Sequence, residues 1–99
     1  MRMLLKARLR TEQGNRAIQS GEMEKTLLAL LEDLKPEAAY FVPDEGKRCA
    51  LIFFDMEDSW ELPRITEPFF MEYDAEVSIQ PAMNVEDAQR GLAALTGHG

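Results

Sequence analysis

The feature that most narrows what this chain can fold into is the order in which two hydrophobic periodicities follow one another. Met3, Leu5, Ala7 and Leu9 alternate with Leu4, Lys6, Arg8 and Arg10, the period of a half-buried strand. A helical stretch follows to Leu34, but Gly14 and Gly21 interrupt it, each by roughly 1 kcal/mol relative to Ala. The expectation is a short helix, Glu12–Gln19, capped by Thr11, a bend near Ser20–Gly21, and a longer second helix. In that second helix Met23, Leu27, Leu30, Leu31 and Leu34 form one apolar stripe, and Pro36 ends it. Two apolar runs, Ala38–Val42 and Cys49–Phe54, flank the turn residues Pro43, Asp44, Glu45 and Gly46 and predict a hairpin. Asp58 or Ser59 is placed to cap the next helical segment. Pro63 and Pro68 are expected to break it, with Thr66 capping a second short turn. Ala75, Val77, Ile79 and Pro81 alternate with Glu76, Ser78, Gln80 and Ala82 in a last strand, Ala75–Met83. Asn84 then caps a closing helix, Val85–Leu95.

This order is β-α-β-β-α-β, the split βαβ or ferredoxin-like pattern. The expected class is α+β: a ferredoxin-like βαββαβ sandwich with an added C-terminal helix. The 99 residues are read as one domain, with residues 1–83 as its core, 84–95 as the added helix and 96–99 as a frayed tail. Such a fold hosts many unrelated activities, so function must be sought in the residues.

A formal net charge of −7 repels phosphate backbones and anionic membrane surfaces, and speaks against nucleic acid and membrane as partners. The single cysteine, Cys49, lies in an apolar run and has no partner for an internal disulfide, so it reads as a small core residue in a reducing compartment. Charges at Arg2, Lys6 and Arg8 interrupt any signal-peptide apolar region, and the expected location is cytoplasmic. The one histidine, His98, stands next to the last residue, which removes a histidine base, a Cys/His dyad and a zinc site from the candidates. No glycine-rich phosphate loop is present. No cofactor and no metal site are expected.

The third strand is apolar on both faces. Leu51 and Phe53 point one way, Ile52 and Phe54 the other, and a strand of that kind needs cover on both sides. Helices cover one side. The other is covered either by a second copy of the chain, using the same patch on both subunits, or by the C-terminal helix through Leu92 and Leu95. The homodimer is the expectation carried forward.

The order of elements, the length and the half-apolar open face resemble the dimeric α/β-barrel superfamily of small ferredoxin-like proteins. The stretches Thr11-Glu12-Gln13-Gly14-Asn15, Lys35-Pro36-Glu37-Ala38-Ala39-Tyr40-Phe41 and Glu67-Pro68-Phe69-Phe70 also resemble an uncharacterised bacterial family of similar length. The second resemblance covers nearly the whole chain and brings no activity. The first implies a range of them: antibiotic-type monooxygenases, muconolactone isomerase-like enzymes, haem-degrading proteins and stress-response proteins without known chemistry.

If the first and last strands are antiparallel neighbours, Lys6 and Arg8 face Glu76, Ser78 and Gln80 on the open face. Under a partner sheet these residues would line a polar cavity, with Arg8 clamping a carboxylate, Lys6 adding a charge and Glu76 serving as a base. Without one they are cross-strand ion pairs on a solvated surface. Glu12 and Asn15, with Arg16, sit at the first strand-to-helix junction and form either a cavity rim or an ordinary helix start. Tyr40, Phe41, Trp60, Phe69, Phe70 and Tyr73 are either an aromatic wall for an apolar ligand or core. Glu57, Asp58, Glu61, Glu67 and Glu72 match no ordered calcium loop and read as a solvated face. Two functions are therefore carried forward. One is a binding or structural module with a polar cavity at the sheet face and a small-molecule ligand. The other is a cofactor-independent monooxygenase- or isomerase-like enzyme acting on a small aromatic or acidic metabolite.

Overall fold

The computed structural model describes residues 1–97; His98 and Gly99, and with them the reading of His98, lie outside the described residues. The described residues form an α+β fold with four helices and one four-stranded antiparallel sheet. Strand β1 (Arg2–Arg8) leads to helices α1 (Thr11–Ser20) and α2 (Glu22–Leu34). A hairpin of β2 (Ala38–Asp44) and β3 (Lys47–Asp55) follows, then a 3₁₀ turn (Ser59–Glu61), helix α3 (Leu62–Tyr73), strand β4 (Glu76–Pro81) and helix α4 (Val85–Leu95). The strand order β2-β3-β1-β4 is compatible with a ferredoxin-like arrangement.

Alternation decides the two faces. Met3, Leu5 and Ala7 of β1 are buried while Leu4, Lys6 and Arg8 between them are only half-buried. Leu5 stands opposite Ile52 on one side and Ile79 on the other, and Ala7 opposite Ala50 and Val77. These side chains meet Ile65, Phe69 and Tyr73 of α3 and Leu34 of α2 in the core. Leu5, Ile52, Phe54 and Ile65 are its most completely buried large side chains, and no charged or polar side chain is buried with them among the described residues.

The bend between α1 and α2 falls where the sequence puts it, at Gly21, whose φ of 82° is the left-handed conformation that glycine tolerates best. Other expectations are corrected. Arg10, not Thr11, precedes the first helical turn, and Thr11 is already helical. The hairpin turn is only Glu45–Gly46, so Pro43 and Asp44 belong to β2, where an edge strand accepts a proline. Pro63 and Pro68 do not split α3: Pro63 sits in its first turn and Pro68 inside one continuous helix. Thr66 caps nothing; its hydroxyl donates to the Leu62 carbonyl at 2.8 Å within that helix. The last strand ends at Pro81, two residues short of Met83.

Asn84 does cap α4, accepting from the Asp87 N–H at 2.8 Å, while Asp87 returns a bond to the Asn84 N–H at 3.2 Å. Arg2 ties this helix start to the sheet through Asp87 at 2.9 Å and also pairs with Glu37. Beyond that tie α4 keeps its apolar side in solvent: Leu92 is 65% and Leu95 83% exposed. In a single chain the C-terminal helix therefore does not take these side chains to the open sheet face. No helix among the described residues is long and apolar enough to cross a membrane.

Candidate functional site

The open face of the sheet carries a network of charges on β1, β2 and β4. Register sets Arg8 opposite Glu76, Lys6 opposite Ser78 and Leu4 opposite Gln80. Arg8 donates through Nη1 to Glu76 Oε2 at 2.9 Å and binds Asp44 through Nε at 3.2 Å and again through Nη2. Glu45 Oε2 lies 3.4 Å from the same guanidinium, and Lys6 Nζ lies 3.1 Å from Asp44 Oδ2. Asp44 thus receives two cations. The hydrogen bond from Arg8, then that from Lys6, holds its carboxyl below the usual carboxylate range, and the same contact raises the Arg8 guanidinium. Cys49 makes this reach across β3 possible: it stands opposite both Arg8 and Val42, and a small side chain there leaves room above it. It is 3% exposed, and burial, then the Asp44 charge, pushes its thiol up.

Lys6, Arg8 and Glu76 are thus drawn into one cluster, with Ser78 and Gln80 along the same face of β4. Sequence reasoning missed its centre, Asp44, by assigning it to the turn. The signal was present: a two-residue turn at Glu45–Gly46 extends β2 by two positions and puts Asp44 on the face of Tyr40 and Val42. Leu4, Leu51 and Phe53, half-buried, share this face with the exposed Tyr40 and give it an apolar half beside the charged one.

The remaining candidates disperse. Glu12 pairs with Arg16 at 2.8 Å one helical turn away. Trp60 lies in the 3₁₀ turn, 73% exposed, and Phe70 is exposed on α3. In the acidic stretch Glu61 closes the entry to α3, its Oε2 accepting from the Glu57 and Asp58 N–H groups at 3.1 and 2.9 Å and its Oε1 from Arg64 at 3.1 Å. Those backbone donors, Asp58 first, hold its carboxyl below the usual range. Among the described residues no group of three or more His, Cys, Asp or Glu is placed to hold a metal ion.

A second site lies on the opposite face. Helices α1, α2 and α3 do not close over the β2–β3 half of the sheet, and a cavity of about 890 Å³ remains between them. Its walls include Ile18 of α1, Met23, Leu27 and Leu30 of α2, Phe41 of β2, and Phe69 and Tyr73 of α3. Three members of the aromatic set read from the sequence line this cavity, Phe41 from β2 and the core residues Phe69 and Tyr73 from α3, whereas Tyr40, Trp60 and Phe70 do not. Two polar contacts involve residues of the lining. Arg64 of α3 pairs with Asp33 of α2, and Arg48 of β3 donates through Nη2 to Asn15 Oδ1 of α1 at 2.9 Å. Arg48 reaches Asn15 by lying over Gly14, where a Cβ would stand 2.6 Å from Nη1. A side chain at this position would make the Arg48 guanidinium shift, so the glycine leaves room for the crossing. The cavity as a whole was not legible in the sequence, because the stripe on α2 predicts an apolar surface but not the gap beneath it.

No family model, no curated protein and no solved structure matches this chain. The functional reading rests on the geometry alone.

Proposed function

We propose that this protein is a small ligand-binding module, a ferredoxin-like unit that pairs as a homodimer through its open sheet face and holds an apolar small molecule in the cavity on its helix face. The observation that carries the binding reading is the cavity. Its volume of about 890 Å³ falls in the range of roughly 300–1,000 Å³ occupied by small-molecule sites, which are apolar with a few placed polar groups. The lining here follows that pattern: aliphatic and aromatic walls, with Arg48, Asp33 and Arg64 among the polar residues. Met23 adds an adaptable wall that suits ligands of irregular shape.

The charge network on the other face supports binding over catalysis. An enzymatic use of Arg8, Lys6 and Glu76 needs Arg8 free to clamp a substrate and Glu76 free to take a proton. Arg8 is already engaged by Asp44 and Glu76, Lys6 by Asp44, and the Glu76 side chain is 67% exposed. The cluster behaves as a self-satisfied polar border beside the apolar strip of Leu4, Leu51 and Phe53. Such a border suits an interface rim.

The test is titration of the purified protein with the neutral fluorophore N-phenyl-1-naphthylamine, repeated on Leu27→Trp, which fills the cavity from α2. Saturable binding to the wild type with at least tenfold weaker binding to the variant is expected. Failure to saturate, or equal binding by both proteins, overturns the reading.

A further inference from the structure

We infer that the ligand of this cavity is an apolar monocarboxylate, its tail between the helices and its carboxylate on Arg48. This inference rests on the cavity reading above and adds the chemistry of the ligand's head.

The observation is an arginine left without an anion in an acidic chain. Acidic residues outnumber basic ones by 18 to 11. Arg2, Arg8, Arg10, Arg16 and Arg64 each meet at least one carboxylate. Among the described residues Arg48 meets none; its one side-chain partner is the neutral amide oxygen of Asn15. Arg90 is likewise without an ion pair among the described residues, but it stands on α4, whereas Arg48 lines the cavity.

Position sharpens the argument. The Asn15 bond at 2.9 Å and the close approach to Gly14 hold the guanidinium against α1. A guanidinium carries five N–H donors in a fixed fork. One bond to Asn15 leaves donors for a carboxylate, and two parallel N–H···O bonds to it are the strongest arrangement available to such a pair. The other arginine on the lining, Arg64, already serves Asp33 and Glu61. The cavity therefore has an apolar body and, besides the committed Arg64, two lining cations without an ion pair among the described residues, Lys47 and Arg48, of which Arg48 is the one held in place by a side-chain bond; that end complements an amphiphile with a single carboxylate.

The experiment is calorimetric titration with laurate and with dodecanol, which share a tail and differ in the head, on wild type, Arg48→Gln and Asn15→Asp. Arg48 is exposed, so its replacement leaves the core intact. Asn15→Asp leaves the arginine in place but gives it a carboxylate of its own. In the wild type laurate is expected to bind at least tenfold tighter than dodecanol. In both variants the ratio of the two affinities is expected to fall to about one. Equal affinities in the wild type, or a laurate preference that survives Arg48→Gln, overturn the carboxylate assignment and leave the cavity standing. Binding of neither compound overturns the cavity reading and this inference together.

Discussion

Asp44 is the residue on which the sheet's polar face turns. Its carboxylate sits between Lys6 and Arg8, with the Cys49 thiol buried nearby. Because these cations lower its pKa in the folded chain, the stability it contributes is present above its unfolded value, about 4, and is lost as pH falls through the lower folded value. Glu61, lowered by the backbone donors of Asp58 and Glu57, works in the same direction. Asp44→Asn is expected to lower stability at pH 7 and to flatten the decline below pH about 4, both read from urea unfolding across an acid pH series. A variant with the wild-type acid profile would show that the network carries no linkage. The sequence made part of this cluster legible. Alternation put Lys6 and Arg8 on the polar face of the first strand and Glu76 on that of the last, and the expected ferredoxin-like strand order made those faces one. Asp44 comes from two strands away, and that contact depends on sheet order and on the length of a turn.

The hairpin shows why element boundaries were harder to read than element types. Four turn-forming residues in a row, Pro43 to Gly46, offer several equivalent turns, and the sheet selects the last two. Glu45 has φ of 52° and Gly46 of 80°, the two left-handed positions of the tight turn whose twist matches paired strands. Glycine adopts this conformation freely, but a glutamate there costs roughly 1–2 kcal/mol. Asparagine is the favoured residue at that first position. Glu45→Asn is therefore expected to raise unfolding stability by about 0.5–1 kcal/mol, read from the denaturation midpoint at unchanged slope. A lower midpoint would mean that the contact of Glu45 with Arg8 outweighs the turn. Helix α3 makes the same point from the other side. Two prolines predicted a break, yet Ile65, Phe69 and Tyr73 lie at spacings of four on one buried face, and their packing outweighs the missing N–H of Pro68. Local propensity marked the weak point of the helix; burial decided that it would continue.

At the scale of the molecule, shape and exposure argue for a partner. The radius of gyration is 15.9 Å, against roughly 13 Å for a globular chain of this length. The chain extends 55 Å along its longest axis and 18 Å along its shortest. Among the described residues the apolar surfaces left open include the sheet strip of half-buried Leu4, Leu51 and Phe53 with exposed Tyr40, and the exposed α4 side chains Leu92 and Leu95. Four strands about 4.8 Å apart, each about 24 Å long, give a sheet footprint of roughly 460 Å². A stable interface takes about 800 Å² of accessible surface from each partner, and the exposed side of α4 is apolar surface that adds to what this footprint offers. Laying α4 across the partner subunit supplies additional area and removes Leu92 and Leu95 from water. The proposed dimer therefore centres on the sheet face, with α4 as a second contact. Leu51→Lys puts a charge in the centre of the stacked sheets and is expected to give a folded monomer, with native mass spectrometry showing the single-chain mass in place of twice that mass. Leu92→Lys combined with Leu95→Lys is expected to weaken the dimer by at least tenfold in dissociation constant without abolishing it at high concentration. If the wild type is itself monomeric, the dimer is wrong. If only the Leu51 variant has an effect, the sheet face suffices and α4 serves another contact.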